Sequence, residues 1–318
     1  MGSYITKELL NLPEVSISVL LRPNSDSSAL AEVKDRITVI EGDVTDILSL
    51  ARAFEGIDLI VHSAAVVSYN TSDRAQMQKV NVEGTANVVN VALECGVKKL
   101  VFISSTAALG RRKVTEIINE KVKWIRTSLN TEYAISKYKS EQEVWRGQAE
   151  GLIITILNPS LILGSGDYSK TSLKIVNHIA RGLPFYPTGQ VGIVDVRDVA
   201  DAVKIVIEKN INGVRVILCA ENWSYKDFFS YVAKKLGVSS PKYPLSPFIG
   251  KAFIGLEKLR SMFTNKKQTL STDNLKSTSV WPNYSNELSK SLLNIQYRSV
   301  TETIDDMISD YISIQKKS

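Results

Sequence analysis

The chain has few of the residues that build metal sites and disulfide frameworks. Its 318 residues include two cysteines, Cys95 and Cys219, and two histidines, His62 and His178. Neither pair has the spacing of metal ligands, and two cysteines allow no more than one disulfide bridge, which excludes a disulfide-stapled module. We therefore expect a protein that works in a reducing cytoplasm.

Long hydrophobic runs and extended basic stripes are also missing. The sequence has no run of about 18 apolar residues, the minimum for a membrane-spanning helix. Its N-terminus lacks the basic-then-apolar order of a signal peptide. The net charge is +6, but basic residues cluster only in short runs such as Lys266-Lys267 and Lys316-Lys317. We expect neither membrane nor nucleic acid as a partner, and a mild positive field that suits an anionic cofactor.

The sequence does contain short apolar runs that alternate with helical patterns. The predicted strands are Val15–Leu21, Ile37–Ile40, Asp58–His62, Leu100–Ile103, Leu152–Leu157 and Val214–Leu218. The predicted helices are Ser72–Cys95, Thr131–Ala149, Val194–Val206 and a last one around Ile304–Tyr311. Continuous apolar runs are typical of strands buried on both faces. The alternation predicts an α/β fold, a doubly wound parallel sheet of right-handed βαβ units.

Small or polar residues follow four of these predicted strands. The clusters are Gly42-Asp43, Ser63-Ala64-Ala65, Ser104-Ser105-Thr106 and Asn158-Pro159-Ser160. Ligands of doubly wound sheets bind beyond the carboxyl ends of the strands, so these clusters predict a binding site. The alternative explanation is that strand ends need turn residues in any case.

One pair of residues indicates acid–base chemistry. Tyr133 precedes Lys137 by four residues, so the two side chains lie on one face of a helix. An ammonium beside a phenol lowers a pKa that is about 10 in the free side chain. Tyrosine can then give or take a proton near neutral pH. The spacing is common by chance, and the alternative interpretation is a surface lysine on an exposed helix.

Seven short motifs occur in order along the chain. They are GDVTD at 42–46, HSAA at 62–65, NVEGT at 81–85, FISSTAALG at 102–110, YAISK at 133–137, NPSLILGSGD at 158–167 and VDVRDVADA at 194–202. Together they resemble the extended short-chain dehydrogenase/reductase family (the NAD-dependent epimerase/dehydratase family), and most of all its dihydroflavonol-reductase-type members. The resemblance implies a Rossmann domain, 1–160 plus 191–220, and a smaller C-terminal substrate-binding lobe, 161–190 plus 221–318.

The resemblance implies three catalytic residues. Tyr133 would donate a proton in reduction and accept one in oxidation, and Lys137 would lower the pKa of Tyr133 and bind the nicotinamide ribose. Ser105 would orient the substrate oxygen, with Thr106 as the runner-up, while Ser104 is expected to cap the backbone of the turn. The family's dehydratases carry Asp-Glu after this serine, and this chain does not, so a dehydratase is not expected.

The cofactor-binding residues follow from the same resemblance. They are Gly2, Arg22, Asp43, Val44, Ser63, Ala64, Ala65, Tyr133, Lys137, Asn158, Pro159 and Ser160. Asp43 would bind the adenine amino group, and an N-cap or Asx-turn role is its alternative explanation. Arg22 stands where an acidic residue would read the ribose 2′-hydroxyl, and arginine suits a 2′-phosphate. NADP(H) is therefore favoured over NAD(H), and a surface arginine is the alternative.

The start of the chain departs from the family pattern. The family begins with a strand and a GxxGxxG turn, of which Gly2 matches only the third glycine. About ten residues have no counterpart if the usual turn length holds. We expect a start assigned too late rather than a true truncation, because everything downstream fits a working enzyme. Without that strand, backbone groups of two neighbouring strands would be left unpaired.

The leading hypothesis is an NAD(P)-dependent oxidoreductase. It would reduce a small ketone or aldehyde with hydride from NADPH and a proton from Tyr133. A nucleotide-sugar epimerase with tightly bound NAD uses the same residue set and stays open. A non-catalytic dinucleotide-binding sensor is the alternative of another class, and the Tyr133–Lys137 pair argues against it. The resemblance also implies a homodimer through helices near 72–95 and 132–149.

Overall fold

The computed structural model describes residues 1–110, 117–169, 171–245, 249–250 and 271–317, so Lys266-Lys267 lies outside the described residues. The strands are β1 Ser18–Leu21, β2 Thr38–Glu41, β3 Leu59–His62, β4 Lys99–Ile103, β5 Ile117–Ile118, β6 Ile153–Pro159, β7 Leu161–Leu163, β8 Phe185–Pro187, β9 Gln190–Asp195, β10 Val214–Leu218, β11 Glu221–Ser224, β12 Tyr243–Leu245 and β13 Asn283–Tyr284. The α-helices are α1 Gly2–Leu9, α2 Ile47–Phe54, α3 Arg74–Met77, α4 Gly84–Glu94, α5 Glu132–Ala149, α6 Lys174–Ala180, α7 Val196–Glu208, α8 Tyr225–Leu236, α9 Thr272–Thr278 and α10 Val300–Lys317.

Four parallel strands in the order β10-β6-β4-β3 form the central sheet. Successive side chains of β4 point to opposite faces, as the pleat requires. Val101 and Ile103 pack in one core with α1 and α7, while Leu100 and Phe102 pack in another with α2, α4 and α5. Burial on both faces explains why these strands are continuous apolar runs. The predicted α/β fold with a doubly wound parallel sheet is confirmed.

The strands β1 and β2 stand apart from that sheet. They pair in parallel with each other, and neither pairs with another strand in the described part of the chain. Within the same residues, β3 pairs only with β4. The first three side chains of β3 are half-buried, whereas every side chain of β4 is buried. This is the arrangement expected of a doubly wound sheet without a strand between β1 and β3.

The predicted helix Ser72–Cys95 is not one regular α-helix. A 3₁₀ turn, Thr71–Asp73, precedes α3, and a π-helical segment, Gln78–Glu83, separates α3 from α4. The π segment carries Asn81, whose amide accepts from the backbone N–H of Val66 at 2.7 Å and donates to its carbonyl at 2.9 Å. Asn81 therefore fixes the chain that follows β3.

A second sheet, in the order β11-β9-β7, lies beside the central one. The strand β9 runs to Asp195, whose carboxylate accepts from the backbone N–H of Arg197 at 2.7 Å and so caps α7. The predicted helix Val194–Val206 therefore begins too early, because an aspartate at this position ends the strand and starts the helix. The helices α6, α8 and α10 form a further core around Phe228 and Met307. None of the described helices is both long enough and apolar enough to span a membrane.

Candidate active site

The backbone after β4 turns sharply into a 3₁₀ segment, Thr106–Leu109. The Oγ of Ser105 accepts a hydrogen bond from the backbone N–H of Ala107 at 3.1 Å, so Ser105 caps this segment. The Oγ of Ser104 points the other way and donates to the Oε1 of Glu141 at 2.5 Å. The prediction that Ser104 caps the turn is therefore wrong. Neighbouring residues of an extended backbone face opposite sides, and the cap falls on Ser105.

The helix α5 brings Tyr133 and Lys137 to the end of β4. It begins after Thr131, whose Oγ1 accepts from the backbone N–H of Ala134 at 3.1 Å. Tyr133 is 8% exposed and Lys137 is 2% exposed, so the alternative of a surface lysine is wrong. The Nζ of Lys137 donates to the carbonyl oxygen of Ile103 at 2.9 Å. The last carbonyl of β4 therefore anchors the ammonium.

The environment of Lys137 sets its charge. Its Nζ lies 4.4 Å from the centre of the Phe102 ring. Burial lowers the pKa of Lys137 to about 8, and the negative charge of Glu141 opposes that shift. The ring of Tyr69 contacts that of Tyr133 edge-on, with ring centres 6.2 Å apart. The phenol and the ammonium thus share a largely water-free site.

Asn158 joins the end of β6 to this site. Its Nδ2 donates to the carbonyl oxygen of Ser105 at 2.8 Å and to the Oε1 of Glu141 at 2.6 Å. Its Oδ1 is buried and has no hydrogen-bond partner in the described part of the chain. Pro159 and Ser160, also predicted to border the cofactor, are buried beside it. The structure thus gathers Ser105, Lys137 and Asn158 at the ends of β4 and β6.

The predicted cofactor residues around β3 lie along the open side of the sheet. A Cβ placed on Gly2 would come 3.6 Å from the Oγ of Ser63, so the start of α1 lies next to the end of β3. Ala64 and Ala65 are exposed. Small exposed residues allow a ligand to approach the backbone, and an α-helix N-terminus attracts phosphate. These features fit a dinucleotide along this edge.

Asp43 lies after β2 in an Asx turn. Its Oδ1 accepts from the backbone N–H of Thr45 at 2.8 Å and from the Thr45 hydroxyl at 2.9 Å. The N-cap of α2 is Asp46, so the N-cap explanation of Asp43 is wrong. Partial burial raises the pKa of Asp43, but the Thr45 hydrogen bonds and the nearby Arg22 charge outweigh it, and the pKa is lowered. Arg22 is exposed at the end of β1, near the carboxylate.

Close packing against Val44 explains why the NVEGT motif has a glycine, Gly84. A Cβ on Gly84 would lie 2.7 Å from the Cγ2 of Val44, so only glycine allows this close approach. The Nδ2 of Asn87 donates to the carbonyl oxygen of Val44 at 3.0 Å. Val44 is thereby held between β2 and α4. No group of three or more metal-binding side chains is present among the described residues.

Sequence reasoning missed Glu141 and Arg215. Glu141 is completely buried, and its Oε2 pairs with the guanidinium of Arg215 on β10. The spacing offers a signal that could have found Glu141, because it follows Lys137 by four residues and Tyr133 by eight. Helical periodicity therefore places all three on one face.

Comparisons with known proteins decide the family. The profile of the NAD dependent epimerase/dehydratase family matches residues 1–219. The chain belongs to this family. Cinnamoyl-CoA reductase 1 of Petunia hybrida is 30% identical over 259 residues, which cover 77% of this chain and 76% of that protein. A Synechocystis protein provisionally named a dihydroflavonol 4-reductase is 27% identical over 264 residues, which cover 81% and 76%.

A solved structure, that of gox2253, extends the likeness to nearly the whole chain. It aligns with a TM-score of 0.82 at 29% identity and covers 98% of this chain and 95% of that one. The predicted membership of the epimerase/dehydratase family and the likeness to dihydroflavonol-reductase-type members are confirmed. The chain is an NAD(P)-dependent oxidoreductase that acts on carbonyl or CH–OH groups.

Proposed function

We propose that this protein reduces a small ketone or aldehyde, with NADPH as the cofactor and Tyr133 as the proton donor. One observation carries the proposal. The buried ammonium of Lys137, one helical turn beyond Tyr133, donates to the carbonyl oxygen of Ile103. Ile103 precedes Ser105 by two residues in the chain. A phenol, an ammonium and a hydroxyl at one strand end are the groups that proton transfer to a carbonyl oxygen requires.

Each side chain has a separate task in this proposal. The Oγ of Ser105 already accepts from Ala107 N–H, so its own hydrogen is available to donate to the substrate oxygen. The Oη of Tyr133 transfers its proton to that oxygen. The positive charge of Lys137 stabilises the phenolate that remains. The bound cofactor supplies the hydride.

The preference for NADPH rests on Arg22. Its side chain is exposed, and within the described residues it forms no hydrogen bond or ion pair. Its charge reaches Asp43, the residue assigned to adenine, so it stands at the adenosine end of the proposed site. A guanidinium there can bind a 2′-phosphate in bidentate geometry. Gly2, Ser63, Ala64 and Ala65 would hold the pyrophosphate and ribose.

We also propose that residues 161–190 plus 221–318 form the substrate-binding lobe, that two copies associate through α4 and α5, and that the protein is cytoplasmic. The separate core around Phe228 supports the lobe. The two helices pack side by side, and Trp145 on α5 is only partly buried. Light scattering on the purified chain would test the dimer, with a monomer mass contradicting it. Cell fractionation would test the location.

The purified chain should be assayed with NADPH and with NADH against a panel of carbonyl compounds. The panel should include a dihydroflavonol, a cinnamoyl-CoA thioester and simple aldehydes, with a nucleotide-diphosphate sugar as a separate arm. We expect NADPH oxidation with a carbonyl substrate and the matching alcohol as product. Interconversion of sugar epimers without net cofactor oxidation would favour the epimerase instead. Cofactor binding without turnover of any compound would favour the sensor.

A further inference from the structure

Glu141 is a buried carboxylate that the proposed reaction does not yet use. It is 0% exposed and lies on α5, one turn beyond Lys137. Its Oε1 accepts from the Ser104 hydroxyl at 2.5 Å and from the Asn158 amide at 2.6 Å. Its Oε2 accepts from Arg215. A carboxylate withdrawn from water is costly unless such donors surround it, and here three side chains compensate the loss of water.

The partners of Glu141 lead to the catalytic residues. Asn158 uses its second amide hydrogen on the carbonyl oxygen of Ser105, and Ser104 is the neighbour of Ser105 in the chain. Removal of the carboxylate would therefore loosen the backbone that carries the Ser105 hydroxyl. This part of the role is mechanical.

A second link is electrostatic. The negative charge of Glu141 raises the pKa of Lys137, against the burial that lowers it. His62 on β3 also faces Lys137, but burial and the lysine charge lower the pKa of His62 to about 3, so it is neutral. Tyr133 on α5 is the proposed proton donor, and Arg215 on β10 pairs with Glu141. Among these four side chains, Glu141 is the one whose charge raises the pKa of Lys137 and so favours the ammonium.

We propose that Glu141 is a positioning residue that keeps Lys137 in its ammonium form and fixes Ser105 through Asn158 and Ser104. The proposal rests on the reductase function given above. It separates Glu141 from a simple structural brace, because a brace would leave the protonation of Lys137 unchanged. Glu141 touches neither substrate nor cofactor in this scheme.

The test removes the negative charge of Glu141 and keeps the shape of its side chain. In Glu141→Gln, NMR titration of the Lys137 Nζ signal in the cofactor-free protein should show a pKa lower by about one unit or more. The signal is assigned by its loss in Lys137→Met. The matched control is Glu143→Gln on the same helix, whose carboxylate pairs outward with Arg146. That control should leave the Lys137 titration where it is.

The pH profile of kcat provides a second measurement. Its alkaline limb should move to lower pH in Glu141→Gln, because turnover needs the ammonium. A titration and a limb that both match the unmodified protein would overturn the proposal. If the unmodified protein shows no turnover, the proposed function fails, while the NMR titration still decides the role of Glu141.

A double variant covers the case in which Glu141→Gln does not fold. The single variant leaves the guanidinium of Arg215 without its carboxylate partner. Glu141→Gln combined with Arg215→Gln removes both charges of that pair. The pKa of Lys137 should still be lower than in the unmodified protein, because Glu141 is the charge that raises it. An unchanged or higher value would contradict the proposal.

Discussion

The two sides of the central sheet differ in how completely their backbone and side chains are paired. On one side, β4 and β6 each have a neighbour on both edges, and α5 ties them together through Lys137 and Glu141. On the other side, β1 and β3 each pair along one edge within the described residues. The first side holds the residues proposed for proton transfer, and the second holds most of the residues proposed to bind the dinucleotide.

If the proposed roles hold, different parts of the sheet support proton transfer and cofactor binding. The anchor of Lys137 is a carbonyl of β4, a strand that is buried throughout. Arg22 and Asp43, proposed to bind the adenosine end, follow strands whose side chains are mostly exposed or half-buried. A change on one side should therefore leave the other largely intact, and the predictions below test that separation.

The largest expected effect is on turnover. Tyr133→Phe removes the proposed proton donor, and we expect kcat to fall about a thousandfold, within the usual range for a general acid. The loss corresponds to about 4 kcal/mol of transition-state stabilisation. NADPH affinity, measured by fluorescence titration, should change little because the ring remains.

The matched control is Tyr138→Phe on the same helix. Tyr138 stacks on Trp124 with ring centres 4.3 Å apart and lies outside the proton-transfer site. It should keep near-normal kcat. A Tyr133→Phe variant with retained turnover would remove Tyr133 from the mechanism.

The next effect concerns the open edges of β1 and β3. An N-terminal extension designed as an apolar strand with a Gly-x-x-Gly turn should pair with both edges. Several backbone hydrogen bonds of about 1 kcal/mol each would raise the free energy of unfolding by about 3 kcal/mol. NADPH affinity should rise with it, and both are measured by urea unfolding and cofactor titration. An extension of equal length with proline at alternate positions is the control, since proline cannot join a ladder. Equal results for the two would show that the edges do not accept a strand.

The central sheet and the Tyr133–Lys137 face could be predicted from the sequence because each rests on a local pattern. Strands buried on both faces are continuous apolar runs, and β4 and β6 show this directly. Residues four apart share a helix face whatever surrounds the helix. These features need no knowledge of distant contacts.

The remaining details depend on contacts between distant parts of the chain. The π segment contains Asn81, whose side chain is hydrogen-bonded to the backbone of Val66, fifteen positions earlier. The burial of Glu141 requires hydrogen-bond donors from β6 and β10. No pattern in the sequence near Glu141 predicts these distant partners. Whether Ser104 or Ser105 faces inward depends on where β4 ends, and sequence patterns place strand ends least well.

A smaller effect tests the buried histidine on β3. His62 contacts the hydroxyl of Thr85 at 3.1 Å, and that hydroxyl donates to the carbonyl of Asn81, so the Nε2 of His62 carries the proton and donates. Burial lowers its pKa to about 3, below the unfolded value of 6.5. The unfolded chain therefore binds the extra proton first as pH falls. From pH 8 to about pH 5, this group should remove about 2 kcal/mol of stability.

His62→Gln keeps a donor for Thr85 and should flatten that pH dependence in urea unfolding. The matched control is His178→Gln, which changes the other histidine, on α6, where partial burial lowers the pKa without enclosing the ring. The control should keep most of the slope. A slope unaffected by His62→Gln would mean that other groups govern acid stability.

The smallest expected effect discriminates the two nicotinamide cofactors and belongs to the open side of the sheet. Arg22→Ala should raise the KM for NADPH about tenfold, or about 1.4 kcal/mol, and leave the KM for NADH nearly unchanged. The reason is that only the 2′-phosphate needs the guanidinium.

Arg52→Ala, which removes another exposed arginine from the end of α2, is the control for net charge. Equal losses for both cofactors would mean that Arg22 acts through the general positive field, and the preference for NADPH would lose its support. An unchanged kcat in Arg22→Ala would show that the proton-transfer side works independently of this edge.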